Sequence, residues 1–93
     1  MDLPINYNSC TQQQRRLVRE EYIRLQRGLC YHCKNKLDNQ PSKSVRSLPI
    51  DTNLFPPNFF KSPVHLHHSH ETGMTIGAVH CYCNAVLWQY YLE

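Results

Sequence analysis

The 93-residue sequence lacks several features that would place it in a large or membrane-bound class. No run of about 18 apolar residues is present, so no segment is expected to span a membrane. The first six residues have neither a basic flank nor an apolar stretch, so they do not form a secretory signal. The length leaves no room for a TIM barrel or a full dinucleotide-binding fold. We therefore expect a single domain over residues 1–93, located in the cytoplasm.

The apolar content is low for a stable core. Leu, Ile, Val and Phe account for 22 of the 93 residues, just above the level of about 20% at which disorder becomes the expectation. A chain this short buries only a thin core, so a metal or disulfides are expected to reinforce it. The sequence has five cysteines and six histidines. An odd cysteine count without a secretory signal disfavours a disulfide framework and favours a metal.

The region 11–27 is predicted to form a basic helix. Thr11 and Gln14 fit a capping box at its start, and Gly28 follows its end. The apolar positions at helical spacing are Val18, Tyr22, Leu25 and Leu29. The basic positions are Arg15, Arg16, Arg19, Arg24 and Arg27. With a net charge of +3, this surface is compatible with a solvated face or with a face that contacts phosphates.

Two cysteine-containing segments have the spacing of a structural zinc site. Cys30 and Cys33 form a C-x-x-C pair, which supplies half of a tetrahedron. The other half lies within residues 80–83, as either His80 with Cys83 or Cys81 with Cys83. The three-residue offset of His80 and Cys83 suits a knuckle followed by a helix, so we prefer this pair. Cys81 is the alternative ligand.

The second half of the chain is predicted to form an ordered loop and a ββα unit. Residues 38–63 contain five prolines together with apolar residues, which favours an irregular segment that packs on the domain. Strands are predicted over 64–68 and 75–80, followed by a terminal helix over 83–92. The fold class is therefore small α+β.

A second group of candidate site residues consists of four histidines within six positions: His65, His67, His68 and His70. One interpretation is a metal-binding tract without catalysis. In a catalytic interpretation, a neutral imidazole deprotonates water while a neighbouring imidazole holds a divalent cation. Asn84, one residue after a zinc ligand, can add an amide oxygen to that cation.

The stretch 64–84 resembles the HNH (ββα-metal or His-Me finger) nucleases. It reads His-Leu-His-His-Ser-His-Glu-Thr-Gly, then Ile-Gly-Ala-Val-His-Cys-Tyr-Cys-Asn. With the upstream C-x-x-C at 30–33, it is most similar to the phage recombination endonuclease VII group. The resemblance implies a zinc-stapled ββα-metal fold with an N-terminal helix, and it suggests a phage-encoded protein.

The resemblance also implies individual roles. His68 matches the general base, and His67 and Asn84 match the ligands of the catalytic cation. His65 and His70 match flanking histidines that contact phosphate or support the metal. The implied zinc ligands are Cys30, Cys33, Cys83 and, in place of a fourth cysteine, His80. His67 replaces a carboxylate, which makes Mn²⁺ or another transition metal as compatible as Mg²⁺.

The expected activity is that of a metal-dependent DNA endonuclease or nickase. DNA is the expected partner, and the expected phosphate contacts come from Arg15, Arg16 and Arg19. A monomer with one site would nick one strand, whereas a homodimer could cut both. The alternative is a catalytically silent zinc-finger module that binds DNA or protein.

Overall fold

The computed structural model describes all 93 residues and shows a small α+β fold, as the sequence predicts. It contains a two-stranded antiparallel sheet and three α-helices. The elements in chain order are α1 (Gln12–Leu25), α2 (Lys43–Arg46), β1 (Val64–His68), β2 (Thr75–His80) and α3 (Cys81–Tyr91). None of the helices combines the length and the apolar character that a membrane crossing needs.

Helix α1 begins with the predicted capping box but ends earlier than predicted. The Thr11 hydroxyl accepts a hydrogen bond from the Gln14 backbone N–H, and the Gln14 side chain accepts one from the Thr11 N–H. The helix stops at Leu25 rather than at residue 27. The reason is that Arg27 (φ 57°) and Gly28 (φ 75°) both adopt left-handed backbone conformations, which turn the chain away from the helix axis.

The buried face of α1 is also shorter than the predicted stripe. Val18 and Tyr22 are buried, whereas Leu25 and Leu29 are exposed. Leu29 follows the chain reversal, so helical periodicity no longer places it on the same face. The Tyr22 hydroxyl lies 2.9 Å from Oγ1 of Thr75, so the last turn of α1 is attached to the sheet.

The sheet contains a bulge at the histidine tract. His67 lies opposite Gly77 and His68 lies opposite Thr75, so Ile76 is an extra residue on β2. In a regular strand, neighbouring side chains point to opposite faces. A bulge bends the strand and increases its twist. The sheet is therefore irregular between the two histidines that the sequence places at one site.

A segment near the N-terminus extends the sheet beside the start of β2, which the sequence did not predict. The Thr75 N–H donates to the Ile5 carbonyl at 2.9 Å, and the Tyr7 N–H donates to the Gly73 carbonyl at 2.8 Å. The Ile5 N–H also donates to Oγ1 of Thr75 at 3.0 Å. These bonds place Tyr7 next to the end of β1.

Further along β2, a glutamine side chain bonds to the free edge of the strand. The Gln26 amide oxygen accepts from the Ala78 N–H at 2.8 Å, and its NH₂ group donates to the Ala78 carbonyl at 2.9 Å. A Cβ atom at Gly77 would lie 2.8 Å from the Gln26 oxygen and 2.9 Å from Cγ of Tyr31. Glycine at position 77 therefore allows this close approach.

The proline-rich segment 38–63 lies along α3. The Tyr82 hydroxyl donates to the Leu48 carbonyl, and the Tyr90 hydroxyl donates to the Pro49 carbonyl. Phe55, further along the segment, packs edge-on against Trp88. The segment thus contacts successive turns of α3 and leaves the start of the helix facing β1.

We expect Gly77→Ala to lower the free energy of unfolding by about 1–3 kcal/mol, because the added methyl overpacks the contact with Gln26 and Tyr31. Urea unfolding followed by circular dichroism measures this change. Gly28→Ala is the control, since nothing lies within 4 Å of a Cβ atom there and only the left-handed backbone is penalised. An unchanged urea midpoint for Gly77→Ala would contradict the packing argument.

Candidate functional site

The two predicted zinc-ligand segments come together in one cluster. The ligand atoms of Cys30, Cys33, His80 and Cys83 all lie within 4.8 Å of one another. Cys30 and Cys83 are completely buried, and His80 is nearly so. Four donors of this type in a closed, buried arrangement are typical of a structural zinc site. The cluster could therefore hold a structural metal such as zinc.

The distances within the cluster fit a tetrahedral ion. Nδ1 of His80 lies 3.4 Å from Sγ of Cys33 and 3.6 Å from Sγ of Cys83. Zinc–sulfur and zinc–nitrogen bonds of about 2.3 and 2.0–2.1 Å at tetrahedral angles separate the two donor atoms by about 3.6 Å. These two separations are therefore close to those around a bound zinc ion.

A hydrogen bond prepares the His80 ring for metal binding. Its Nε2 lies 2.9 Å from the Lys36 carbonyl oxygen, which can only accept, so Nε2 carries the proton. Nδ1 then has its lone pair directed at the cysteines. An outer hydrogen bond of this kind fixes the tautomer of a metal-bound histidine.

The thiols of the cluster have unequal proton affinities. A hydrogen bond from Cys83, opposed by burial, lowers the pKa of the Cys30 thiol to about 4. The same contact, together with burial, raises the pKa of the Cys83 thiol. Cys81 lies outside the cluster, and burial raises its thiol pKa. The geometry thus favours His80 over Cys81 as the fourth ligand.

A separate open cleft of about 720 Å³ lies among α1, β1, the start of α3 and the loop that precedes β1. Predicted site residues that line it are His65, His68, His70, Asn84, Arg15 and Arg19. Arg16 is exposed and does not line it. The arrangement places imidazoles, an amide and two guanidinium groups around one volume.

At the floor of the cleft, Asn84 is oriented by His65. The Asn84 side-chain NH₂ donates to Nδ1 of His65 at 3.1 Å. Burial lowers the pKa of His65, which keeps the ring neutral and able to accept this bond. The amide oxygen of Asn84 is left for other neighbours, and Asn84 also shares a hydrogen bond with His67.

His67 lies beneath the floor and has an unsatisfied nitrogen. The residue is 2% exposed, and its buried Nδ1 has no hydrogen-bond partner. Burial lowers the pKa of His67, while the charge of Glu93 and a hydrogen bond with Asn84 oppose that shift. Leaving a buried polar atom unpaired costs about 1–3 kcal/mol, so this nitrogen calls for an explanation.

His68 is held by a stack of rings that includes a residue missed by sequence reasoning. Its ring lies parallel to that of Tyr7, with centroids 3.7 Å apart, and the Arg15 guanidinium covers the same tyrosine at 3.8 Å. Burial lowers the pKa of His68, and its Nδ1 also has no hydrogen-bond partner. His70 lies 5.1 Å away, centroid to centroid. No pattern around Tyr7 in the sequence indicates this contact.

Comparisons of the chain with protein-family models, with curated proteins and with solved structures found no match. Two constellations therefore define the candidate site from this chain alone. One is the buried Cys₃His cluster, and the other is the histidine-lined cleft. Both include residues from the junction of β2 and α3, where Cys83 and Asn84 are adjacent in the chain.

We expect Cys30→Ser to abolish stoichiometric zinc binding and cooperative thermal unfolding, because the thin core depends on the metal. Metal analysis of the purified protein and a circular dichroism melt measure the two effects. Cys81→Ser is the matched control and should retain zinc and its melting transition. Chelation of zinc from the unmodified protein should have the same effect as Cys30→Ser. A metal-free chain with an unaltered transition would contradict the role of the cluster.

Proposed function

We propose that the protein is a metal-dependent DNA endonuclease or nickase of the HNH type. The observation that carries the proposal is the buried His67, whose Nδ1 has no hydrogen-bond partner and whose ring contacts Asn84, a residue of the cleft lining. An imidazole nitrogen and an amide oxygen at one point are suitable ligands for a divalent cation. A cation held there explains why a nitrogen with no protein partner is buried.

The residues around the cleft have complementary roles in phosphodiester hydrolysis. His68 takes a proton from the attacking water, which a neutral imidazole can do. Its lowered pKa favours the neutral form. Arg15 and Arg19, on the α1 side of the cleft, bind phosphates that flank the scissile bond.

The cation supplies electrostatic stabilisation of the charge that grows on the scissile phosphate and the leaving oxygen. His67 and Asn84 are the residues that would hold it. His65 acts as a positioning residue, since its 3.1 Å hydrogen bond to Asn84 directs the amide oxygen. Nitrogen and amide-oxygen donors without a carboxylate suit Mn²⁺, Co²⁺, Ni²⁺ or Zn²⁺ as well as Mg²⁺.

The structural zinc contributes to this site indirectly. Cys83 is a ligand of the first cluster, and Asn84 is the next residue of α3. Successive helical residues point about 100° apart, so one helical turn serves two different sites. The zinc fixes the start of α3, and Asn84 then faces β1.

We expect the zinc-loaded protein to convert supercoiled plasmid to the nicked form when a divalent cation is added. His68→Ala should reduce the rate by a factor of about 10²–10⁴, the usual contribution of a general base. Agarose gel electrophoresis across Mg²⁺, Mn²⁺, Co²⁺, Ni²⁺ and Zn²⁺ measures the conversion.

His32→Ala is the matched control, because His32 lies outside both the cleft and the Cys₃His cluster. It should nick at the unmodified rate, and all three proteins should contain equal zinc. Undiminished cleavage by His68→Ala would exclude it as the base. Plasmid binding without cleavage under every cation would instead favour the silent zinc-finger module.

A further inference from the structure

Part of the cleft lining is aromatic. Phe55 packs against Phe59 and Trp88, with ring centroids 4.7 and 5.7 Å apart. Phe59 in turn lies edge-on to His65 at 4.6 Å. Phe55 and Phe59 belong to the proline-rich loop and Trp88 to α3, and all three line the cleft. We call these three side chains the aromatic wall.

The aromatic wall is incompletely covered by the rest of the chain. Trp88 is 38% exposed, and the neighbouring Leu54 is 48% exposed. Aromatic side chains that line a cleft and remain partly exposed are typical of ligand sites. Arg15 and Arg19 line the same cleft, so it combines an aromatic surface with a cationic one.

These two surfaces together match an unpaired nucleotide. Aromatic side chains stack on base faces, and a cationic groove follows the phosphates, in proteins that bind single strands. In a duplex, neighbouring base pairs cover the base faces, so a stacking wall has nothing to contact. The volume of about 720 Å³ lies within the range of pockets for small ligands, about 300–1,000 Å³, so the cleft can hold a single nucleotide.

We propose that the cleft binds unpaired DNA, with a base stacked on the aromatic wall and its adjacent phosphate held by Arg15 and Arg19. The proposal rests on the proposed nuclease function, of which it specifies the substrate class. Single strands, loops or frayed ends are then preferred over continuous duplex. Phe59 contacts His65, and Tyr7 lies between His68 and the Arg15 guanidinium. The phosphate next to the stacked base is therefore the one presented to His68.

Trp88 allows a direct test, because it is the only tryptophan in the chain. The His68→Ala protein, loaded with zinc, is titrated with a mixed-sequence 12-nucleotide single strand while tryptophan fluorescence is recorded. The ligand controls are the same strand with abasic sites and the same sequence as a duplex. We expect the single strand to quench Trp88 and to bind at least about fivefold more tightly than either control, as loss of one stacking contact implies.

Protein variants separate stacking from folding. Phe55→Leu keeps an apolar side chain but removes the ring, and should weaken binding of a fluorescently labelled single strand at least about fivefold by anisotropy. Phe55→Tyr keeps the ring and should retain affinity. Tyr91→Leu, which removes an exposed aromatic of α3 outside the cleft, should also retain it.

The outcomes distinguish this inference from the nuclease proposal. Equal affinity for the abasic strand or the duplex, or undiminished affinity of Phe55→Leu, would overturn the stacking site even if plasmid is nicked. Base-dependent quenching by a protein that never nicks would overturn the nuclease proposal and leave the binding site in place. Equal affinity for an RNA strand of the same sequence would show that the aromatic wall stacks on bases of either nucleic acid. That result would overturn the assignment of DNA as the substrate.

Discussion

The Cys₃His cluster joins two parts of the chain that are far apart in sequence, and the placement of the other elements depends on it. Cys33 and His80 are separated by 47 positions, yet their ligand atoms are neighbours. His80 ends β2 and Cys83 lies in the first turn of α3, so a bound metal fixes the angle between strand and helix. Val79 of β2 and Val86 of α3 belong to the same buried apolar cluster, and their packing supports the same angle.

The histidine-lined cleft occupies the surface that this junction creates. Its floor contains imidazole nitrogens of His67 and His68 that are buried without partners, an arrangement that weakens the fold. Nearby groups hold the side chains in place nonetheless: Tyr7 stacks on His68, and Asn84 bonds to His65. Polar groups that lower the stability of the fold, and that are nevertheless held firmly in place, are typical of a ligand-binding site.

Local signals in the sequence predicted much of the fold. The capping box at Thr11 and the β-forming residues of β2 act over short distances, and they located these elements. The Cys30 and Cys33 pair with His80 and Cys83 was predictable because metal geometry restricts ligand spacing. The exposure of Leu25 was not predictable from the sequence, because the chain reverses after α1 and helical periodicity no longer determines which side chains are buried.

Contacts made by segments without a regular pattern of apolar residues could not be predicted from the sequence either. The N-terminal segment pairs with β2 through backbone hydrogen bonds, which any residues can form. Tyr7 reaches the cleft through long-range packing. The packing of the proline-rich segment on the domain was predicted, but the place of its aromatic residues in the cleft was not. The alternation of apolar and polar residues carries no information about such contacts. The cationic surface was predicted only as a helix face, and its relation to the histidines required the tertiary structure.

The two hydrogen bonds between Gln26 and Ala78 also affect how copies of the protein can associate. An exposed strand edge is a template on which another chain can add a strand. The Gln26 amide uses the donor and the acceptor of Ala78 as a neighbouring strand would, and the segment around Ile5 and Tyr7 covers the start of β2. The β2 edge of the sheet is thereby closed to intermolecular β-pairing, so another chain could add a strand only along β1.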